Sequence, residues 1–162
     1  MKGCDYIMIK MKWVITDNLS GVSLDEFENE WNGIISGYFE ININQSQEGF
    51  CPPKKTNKVE EGMEDVLYWL NHLSEGLNMI KKGKEYEMIL LTMNLYKIVM
   101  RLDDEMCISF VNKRDNMIKW EERVDIQEFQ NELSENVEKF LQIIRETNPQ
   151  LLNSKWIKKL SA

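Results

Sequence analysis

The feature that most constrains the fold is a change in the spacing of apolar residues near residue 85. Residues 59–82 carry apolar side chains three and four positions apart, which places them on one face of a helix. Residues 86–124 then form short apolar runs with the two-residue period of strands. The helical spacing returns over residues 126–146. This order of blocks predicts an α+β fold.

The two long helices, predicted over residues 59–82 and 126–146, also carry suitable residues at their ends. Gly83 is suited to the turn that closes the first helix, and Asp125 is suited to the N-cap of the second. Pro149 follows the second helix and disfavours its continuation. Each helix has one apolar side, so we expect both to pack on one face of a sheet.

Four short apolar runs predict a four-stranded antiparallel meander over residues 86–124. The polar segments between these runs are short, and short connections join antiparallel neighbours. The first two runs are almost continuously apolar, which is also typical of a buried helix, but their isoleucine, tyrosine and valine content favours strands. The runs are Tyr86–Met93, Leu95–Leu102, Met106–Val111 and Met117–Val124.

The N-terminal part of the chain predicts two more strands around a short helix. Residues 6–15 are rich in β-branched and aromatic side chains, and residues 35–44 alternate between apolar and polar ones. Ser23 and Glu26 have the spacing of a capping box, which predicts a helix over residues 24–32.

The remaining segments complete a single predicted domain. Residues 45–58 are polar and contain Pro52 and Pro53, which disfavour a helix and a central strand, so we expect a surface loop. Residues 153–160 predict a short basic helix. For residues 1–162 we therefore expect one antiparallel sheet of about five to six strands with both long helices on one face.

The cysteines and the hydropathy indicate a cellular compartment. No apolar run is long enough to cross a membrane, so we expect no membrane association. Cys4, Cys51 and Cys107 are odd in number and widely spaced, which favours reduced thiols in the cytoplasm. Cys4 precedes an apolar strand and Cys107 lies within one, so we expect both in the core.

The net charge is −7 at pH 7, and most of the acidity lies in residues 59–146, with 19 acidic and 11 basic side chains. Nucleic-acid binding requires a basic surface, so we do not expect a nucleic-acid partner. An acidic surface attracts a basic protein over a distance. The alternative is that the charge only keeps the protein in solution.

Few side chains have a pattern that suits catalysis. His72 is the only histidine, which excludes a zinc site of the HExxH type. It lies opposite the apolar side of its helix and should be exposed, with Asp65 nearby but no nucleophile beside them. The chain has no glycine-rich phosphate loop and no GxSxG elbow. We therefore expect a protein that is not an enzyme, with no metal and no cofactor.

An acidic surface beside a tryptophan is the predicted binding site for a partner protein. Trp69 lies at the edge of the apolar side of its helix and should be partly exposed, which is typical of a protein-binding surface. Two alternatives remain open: the acids only complement the helix dipole, or a partner binds residues 45–58 or the basic tail. The expected contact residues are Glu60, Glu61, Glu64, Asp65, Trp69, Asp103, Asp104 and Glu105.

The order of elements is similar to that of a known family. The features that carry the similarity are Trp31, the strand at residues 37–42, the helix from residue 61 to residue 69, the hairpin at 96–110 and the closing helix at 126–146. Together they resemble bacterial immunity proteins, including those of contact-dependent growth inhibition systems. The resemblance implies a cytoplasmic protein that binds a cognate, basic toxin domain stoichiometrically and neutralises it without turnover.

Two other functions are compatible with the same sequence. The first is a non-catalytic structural or regulatory protein of a phage or mobile element that acts by self-association. The second is an enzyme with an unrecognised site, which would need a deep polar pocket. A tight stoichiometric partner would favour the immunity function, and a homo-oligomer alone would favour the first alternative.

Overall fold

The computed structural model describes residues 8–49, 51, 63–91 and 95–161. Within these ranges the chain forms antiparallel sheets and helices, which confirms the α+β class. No helix in these ranges is long and apolar enough to cross a membrane. The strands are β1 (Ile9–Ile15), β2 (Ser36–Ile43), β3 (Ser46–Gly49), β4 (Glu64–Asp65), β5 (Tyr86–Ile89), β6 (Tyr96–Leu102), β7 (Met106–Asn112) and β8 (Ile118–Val124). The α-helices are α1 (Leu24–Asn29), α2 (Val66–Lys81), α3 (Ile126–Thr147) and α4 (Lys155–Lys158), with 3-10 turns at Pro149–Asn153 and Lys159–Ser161.

The first sheet is organised around β2, which pairs with β1, β3 and β4. The long β1–β2 pair runs from Ile9 opposite Ile43 to Ile15 opposite Gly37. The loop predicted from residue 45 onwards is wrong at residues 46–49, which form β3. A polar strand of this kind is invisible to a pattern of apolar alternation, since its stability comes from backbone pairing with β2. Of the remaining predicted loop, residues 50 and 52–58 lie outside the described residues.

The second sheet is the predicted meander, with β5, β6, β7 and β8 in sequence order. The structure therefore has two four-stranded sheets where the sequence predicts one sheet of five to six strands. The strands that follow α2 pair with one another in sequence order, because the short connections between them join antiparallel neighbours, and so they form a sheet of their own. α2 contacts β1 and β2 of the first sheet and β5 and β6 of the second.

Side-chain hydrogen bonds join the two sheets near the β3–β8 contact. Glu48 is buried and accepts a hydrogen bond from Nε1 of Trp120 at 2.8 Å. Glu122 accepts from Nδ2 of Asn44 at 2.9 Å and from Oγ of Ser46 at 2.8 Å. These bonds satisfy carboxylates that would otherwise be costly to bury, and they hold the relative position of the sheets.

The first long helix begins later than the sequence predicts. α2 starts at Val66, and Asp65 is its N-cap, because the Asp65 side chain accepts from the backbone N–H of Tyr68. Glu64 and Asp65 are held extended as β4 through their pairing with Gly37 and Ser36 of β2. The predicted residues 59–62 lie outside the described residues. A strand contact distant in sequence therefore replaces helix at residues 64–65.

The second long helix is confirmed, with Ile126 and Thr147 as its ends. It packs against β1 and α2, so its strand contacts lie mainly with the first sheet, whereas α2 contacts both sheets. Met11 of β1 donates its backbone N–H to Oε1 of Glu132 at 2.9 Å, and Nε1 of Trp13 donates to Oδ1 of Asn136 at 2.9 Å. The two helices thus face different combinations of strands.

The shorter predicted helices are present, although α1 ends at Asn29 and not at residue 32. α1 begins at the expected N-cap, where Oγ of Ser23 accepts from the N–H of Glu26 at 3.1 Å. The predicted basic helix near the C-terminus is present as α4. Cys107 is buried, as expected, and Cys4 lies outside the described residues.

The N-cap of α3 gives a first test of the fold. The Asp125 side chain accepts from the N–H of Glu128 at 3.0 Å, so Asp125→Ala removes this bond and should lower the free energy of unfolding by about 1 kcal/mol. Urea denaturation measures the change. Glu128→Ala keeps the backbone N–H that the cap binds, and Glu128 is exposed, so this control should change stability by less than about 0.5 kcal/mol. Equal losses in the two variants would contradict the capping role.

Candidate functional site

The predicted acidic surface does not form as one exposed patch in the described part of the chain. Trp69 is only 2% exposed and stacks on Phe39, with ring centroids 4.8 Å apart and an angle of 14° between the planes. The prediction that Trp69 is partly exposed is therefore wrong. Because α2 contacts strands of both sheets, the side of the helix that carries Trp69 is also buried. The sequence signal for burial beyond the main stripe is the presence of apolar residues on both of its flanks, Trp69 on one and Leu67 on the other.

The acidic members of the predicted surface lie in three different environments. Glu64 is buried on β4 at 8% exposure, and Glu60 and Glu61 lie outside the described residues. Asp65 is half-buried, and its carboxylate accepts from the N–H groups of Ile35 and Tyr68, both at 3.2 Å. Burial raises the pKa of Asp65, and these hydrogen bonds oppose the shift. The exposed residues of the set are Asp103, Asp104 and Glu105, in the β6–β7 turn.

A pocket of about 590 Å³ opens beside α2 and faces the C-terminal segment. We name it the His72 pocket after the single histidine of the chain. Its volume lies within the range of small-ligand sites. Its lining includes Tyr68, Asn71, His72 and Glu75 of α2, Gly33 and Ile34 before β2, Leu91 after β5, and Trp156 and Lys159 of the C-terminal segment.

The side chains around His72 form a hydrogen-bonded chain. Nδ1 of His72 lies 2.5 Å from the hydroxyl oxygen of Tyr86, and this hydroxyl donates to Oε2 of Glu75 at 3.2 Å. Because the Tyr86 hydroxyl has one proton, which Glu75 accepts, we assign the proton on the imidazole to Nδ1. Nε2 of His72 is then a hydrogen-bond acceptor. The ring of Tyr68 packs on the imidazole with centroids 4.0 Å apart.

Burial controls the protonation of this cluster. It lowers the pKa of His72 below the ordinary value of 6.5, while Glu75 acts in the opposite direction and Lys159 in the same direction. Burial, followed by the charge of Glu75, raises the pKa of Tyr86, which therefore keeps its proton. His72 is thus half-buried and neutral at pH 7. The prediction that it is exposed is wrong, because β5 brings Tyr86 against this side of α2.

The C-terminal segment closes one side of the pocket. Nδ2 of Asn71 donates to the backbone oxygen of Trp156 at 3.0 Å. The ring of Trp156 lies directly against Gly33, where a Cβ atom would stand 2.1 Å from Cδ1 of the indole. Oδ1 of Asn71 and Nε1 of Trp156 are buried and have no hydrogen-bond partner among the described residues. Unsatisfied buried groups are rare in folded proteins, and here both belong to residues that line one pocket.

A second concave surface lies between β1 and α3, and we name it the β1–α3 groove. It has a volume of about 1180 Å³ and is lined by Lys10–Ile15, Cys51 and residues of α3 between Glu135 and Ile143. Val14 and Ile143 are large apolar residues that remain 41% and 38% exposed there. Exposed apolar residues that share one groove are typical of a contact surface.

Among the described residues, no strand pairs with the outer edge of β1 in this groove. The hydrogen bonds from Thr16 N to Ser36 O and from Asn44 N to Met8 O show that even-numbered residues of β1 pair with β2. The N–H groups of odd-numbered residues therefore point away from β2, towards the outer edge of the sheet. Glu132 accepts a hydrogen bond from the backbone N–H of Met11. The N–H groups of Trp13 and Ile15 have no partner among the described residues.

Neither surface contains a recognisable metal centre. Over residues 8–49, 51, 63–91 and 95–161, no group of three or more His, Cys, Asp or Glu side chains could hold a metal ion. Cys51 and Cys107 are free thiols. Burial is the main cause that raises the pKa of both, so neither has the lowered pKa of a reactive cysteine.

No family model, no curated protein and no solved structure matches this chain.

Proposed function

We propose that this protein binds a partner protein and neutralises it by occupying its surface, as immunity proteins do with toxins. The observation that carries the proposal is the open edge of β1 in the β1–α3 groove. An extended segment of a partner can pair with such an edge through backbone hydrogen bonds, and neighbouring side chains then supply specificity. A long unpaired edge is otherwise an aggregation hazard, which proteins avoid by covering it.

The geometry of the edge suits one added strand. The N–H groups of Trp13 and Ile15, which have no partner in the described part of the chain, lie two residues apart, which is the spacing at which an antiparallel neighbour presents its paired groups. Glu132 occupies the next such position at Met11 and so limits the pairing to the end of β1 nearest Ile15. The added segment would therefore be short and held in one register.

The side chains around the groove add apolar and charged contacts. Val14 and Ile143 form an apolar rim, and Trp13 is held in the groove by its bond to Asn136 and by its contact with Phe140, whose ring centroid is 5.9 Å away. Charged side chains of both signs surround this rim, which favours a particular sequence over any apolar strand. They are Lys10, Lys12, Glu135, Glu138 and Lys139.

The net charge supports a basic partner. A protein of net charge −7 attracts a basic toxin domain over a distance and speeds its association. The free thiols Cys51 and Cys107 fit an action in the cytoplasm. The exposed Asp103–Glu105 turn is the described part of the expected acidic surface that remains available for such steering.

The decisive experiment is protection of growth. A bacterium that expresses only the toxin domain encoded beside this chain's gene should stop growing. Growth should continue when this protein is co-expressed with the toxin domain. The purified pair should form a complex of defined stoichiometry in light scattering after size-exclusion chromatography. Failure to protect, or the absence of a toxic neighbour gene, would contradict the proposal.

Two substitutions test the groove. Val14→Asp and Ile143→Asp each place a charge on the apolar rim and should weaken the complex by about 100-fold or more, because a charge would be desolvated on binding. Calorimetry measures the affinity. Met117→Asp is the matched control, since Met117 is 66% exposed and lies outside the groove. Unchanged affinity in both groove variants would exclude this surface.

Self-association is the second candidate function, and the same open edge favours it. The β1 edge of one copy could pair with the β1 edge of another to form a two-fold dimer. In that case the mass in light scattering should rise with concentration, and Val14→Asp should return the protein to a monomer. A monomer at all concentrations would leave the partner protein as the occupant of the edge.

A further inference from the structure

We propose that the His72 pocket binds the guanidinium group of an arginine-type ligand. The pocket shares no lining residue with the β1–α3 groove, so this site goes beyond the proposed partner binding and is independent of it. Three features of the pocket point to this ligand: its hydrogen-bond acceptors, its aromatic wall and the positions of its charges.

The α2 side of the pocket presents three hydrogen-bond acceptors, whereas the C-terminal segment contributes donors, the unpaired Nε1 of Trp156 and the ammonium group of Lys159. Glu75 contributes a carboxylate that accepts a hydrogen bond from Tyr86, and His72 contributes the free Nε2. Asn71 is a third lining residue, and its Oδ1 is buried without a donor among the described residues. A donor that reaches Asn71 would remove the free-energy cost of this unmade bond. Guanidinium carries five N–H donors and no acceptor, which matches the three acceptors on the α2 side of the pocket.

The wall of the pocket favours a planar cation over a compact one. The ring of Tyr68 packs on His72, and its hydroxyl donates to the backbone oxygen of Ile89 at 2.6 Å, which keeps the ring in place. A guanidinium group can stack on such a ring while its edge forms hydrogen bonds, whereas an ammonium group is a strongly hydrated point charge. The exposed side chains of Ile34 and Leu91 can cover the methylene groups of the ligand.

The charges of the pocket divide it into two ends. Asp65 is the N-cap of α2 and Glu75 lies on the helix, whereas Lys159 lies on the C-terminal segment. Nζ of Lys159 is 5.5 Å from the centroid of the Trp156 ring, which places a cation on the wall formed by the C-terminal segment. A free arginine molecule could therefore direct its guanidinium group to Glu75 and its α-carboxylate to Lys159.

Protonation of His72 should control the affinity. The groups that face His72 are Tyr68, Glu75 and Tyr86, with Lys159 across the pocket. At neutral pH the imidazole is neutral, and a guanidinium group meets no positive charge from it. When the pH falls through the pKa of His72, the imidazolium repels the ligand, so binding weakens. By linkage, bound arginine should lower the pKa of His72 further.

The single histidine allows a direct measurement by NMR. Addition of L-arginine to the whole protein at pH 7.5 should shift the ring-proton signals of His72 in a saturable way, with a dissociation constant of about 10 mM or tighter. When the pH is lowered until the ring-proton signals report protonation of His72, the affinity should fall severalfold. L-citrulline has nearly the same shape without the charge and should bind at least tenfold more weakly, and so should L-lysine.

Variants separate the role of the pocket from general charge. Glu75→Gln should weaken arginine binding by about tenfold or more, because it removes a charge-assisted acceptor at an exposed position and leaves an amide oxygen that can still accept from Tyr86. Glu85→Gln is the control, since Glu85 is exposed and lies outside the pocket. Thermal unfolding of both variants checks that the fold is unchanged.

Free L-arginine and a blocked arginine distinguish whether the pocket takes the free amino acid or an arginine side chain of a peptide. If Lys159→Gln weakens L-arginine but not N-acetyl-L-arginine methylamide, the pocket takes the free amino acid. If both forms bind equally to the unchanged protein, it takes an arginine side chain of a peptide. The proposal is overturned if L-arginine gives no saturable shift, if citrulline binds as tightly, or if Glu75→Gln and Glu85→Gln behave alike. None of these results bears on the growth-protection experiment.

Discussion

Trp69→Ala should lower the free energy of unfolding by about 3–5 kcal/mol, the range for removal of a large aromatic side chain from a core. The Trp69 side chain is 2% exposed and stacks on Phe39, so the substitution removes both apolar burial and an aromatic contact. The cavity would lie between α2 and the first sheet, where close packing on both sides prevents full collapse. We expect this loss of stability to be several times that of the cap variant Asp125→Ala.

Urea denaturation followed by circular dichroism measures this effect, because the far-ultraviolet signal reports the helices and sheets rather than one tryptophan. Trp31→Ala is the control: Trp31 is half-buried and contacts Phe27 at a centroid distance of 6.4 Å, so its removal should cost clearly less. If Trp69 were instead an exposed contact residue, Trp69→Ala would leave stability almost unchanged, and that result would contradict the packing described for α2.

Gly33→Ala should destabilise the protein by about 3 kcal/mol or more, through two causes that add. Gly33 has φ of +71°, and an alanine in this left-handed region costs about 1–2 kcal/mol. The new Cβ would also stand 2.1 Å from Cδ1 of Trp156, so the indole must move out of its position. Displacement of a tryptophan from its packing adds further loss. The same movement would change the wall of the His72 pocket.

Gly21→Ala is the matched control for this prediction. Gly21 has φ of +77°, but a Cβ atom there meets no atom within 4 Å, so only the backbone cost of about 1–2 kcal/mol should appear. Thermal and urea unfolding of both variants give the difference, which isolates the contact with Trp156. Equal destabilisation would show that the C-terminal segment does not pack on Gly33. In that case the pocket would lack the wall described for it.

The correct predictions concern elements whose signals are local. The Asp125 cap, the Ser23 cap and the four strands β5–β8 with their short connections depend on residues close in sequence, and the structure contains all of them. The wrong predictions concern contacts between segments that are distant in sequence. Residues 46–49 and 64–65 became strands because β2 offered them backbone partners, and propensity alone does not reveal such pairing.

The site residues show the same division. Helical spacing predicts Asp65 and His72 on one side of α2. In the structure Asp65 is the N-cap of the helix, and His72 is hydrogen-bonded to Tyr86 of the next strand. The sequence places Trp156 in a basic tail, but its contact with Gly33 joins residues more than a hundred positions apart. Periodicity contains no information on such contacts, so the His72 pocket could not be located from the sequence.

By itself the sequence determined the α+β class, the two long helices, the meander and the net acidity, because each follows from local patterning or from composition. Only the tertiary structure decided that α2 contacts two sheets, that Trp69 is buried and that no strand of the described residues covers the edge of β1 beside α3. The reason is that burial and strand pairing depend on which surfaces meet. When a helix has apolar residues beyond one stripe, either one or two sheets can pack against it. Which of these occurs depends on how segments distant in sequence pack together.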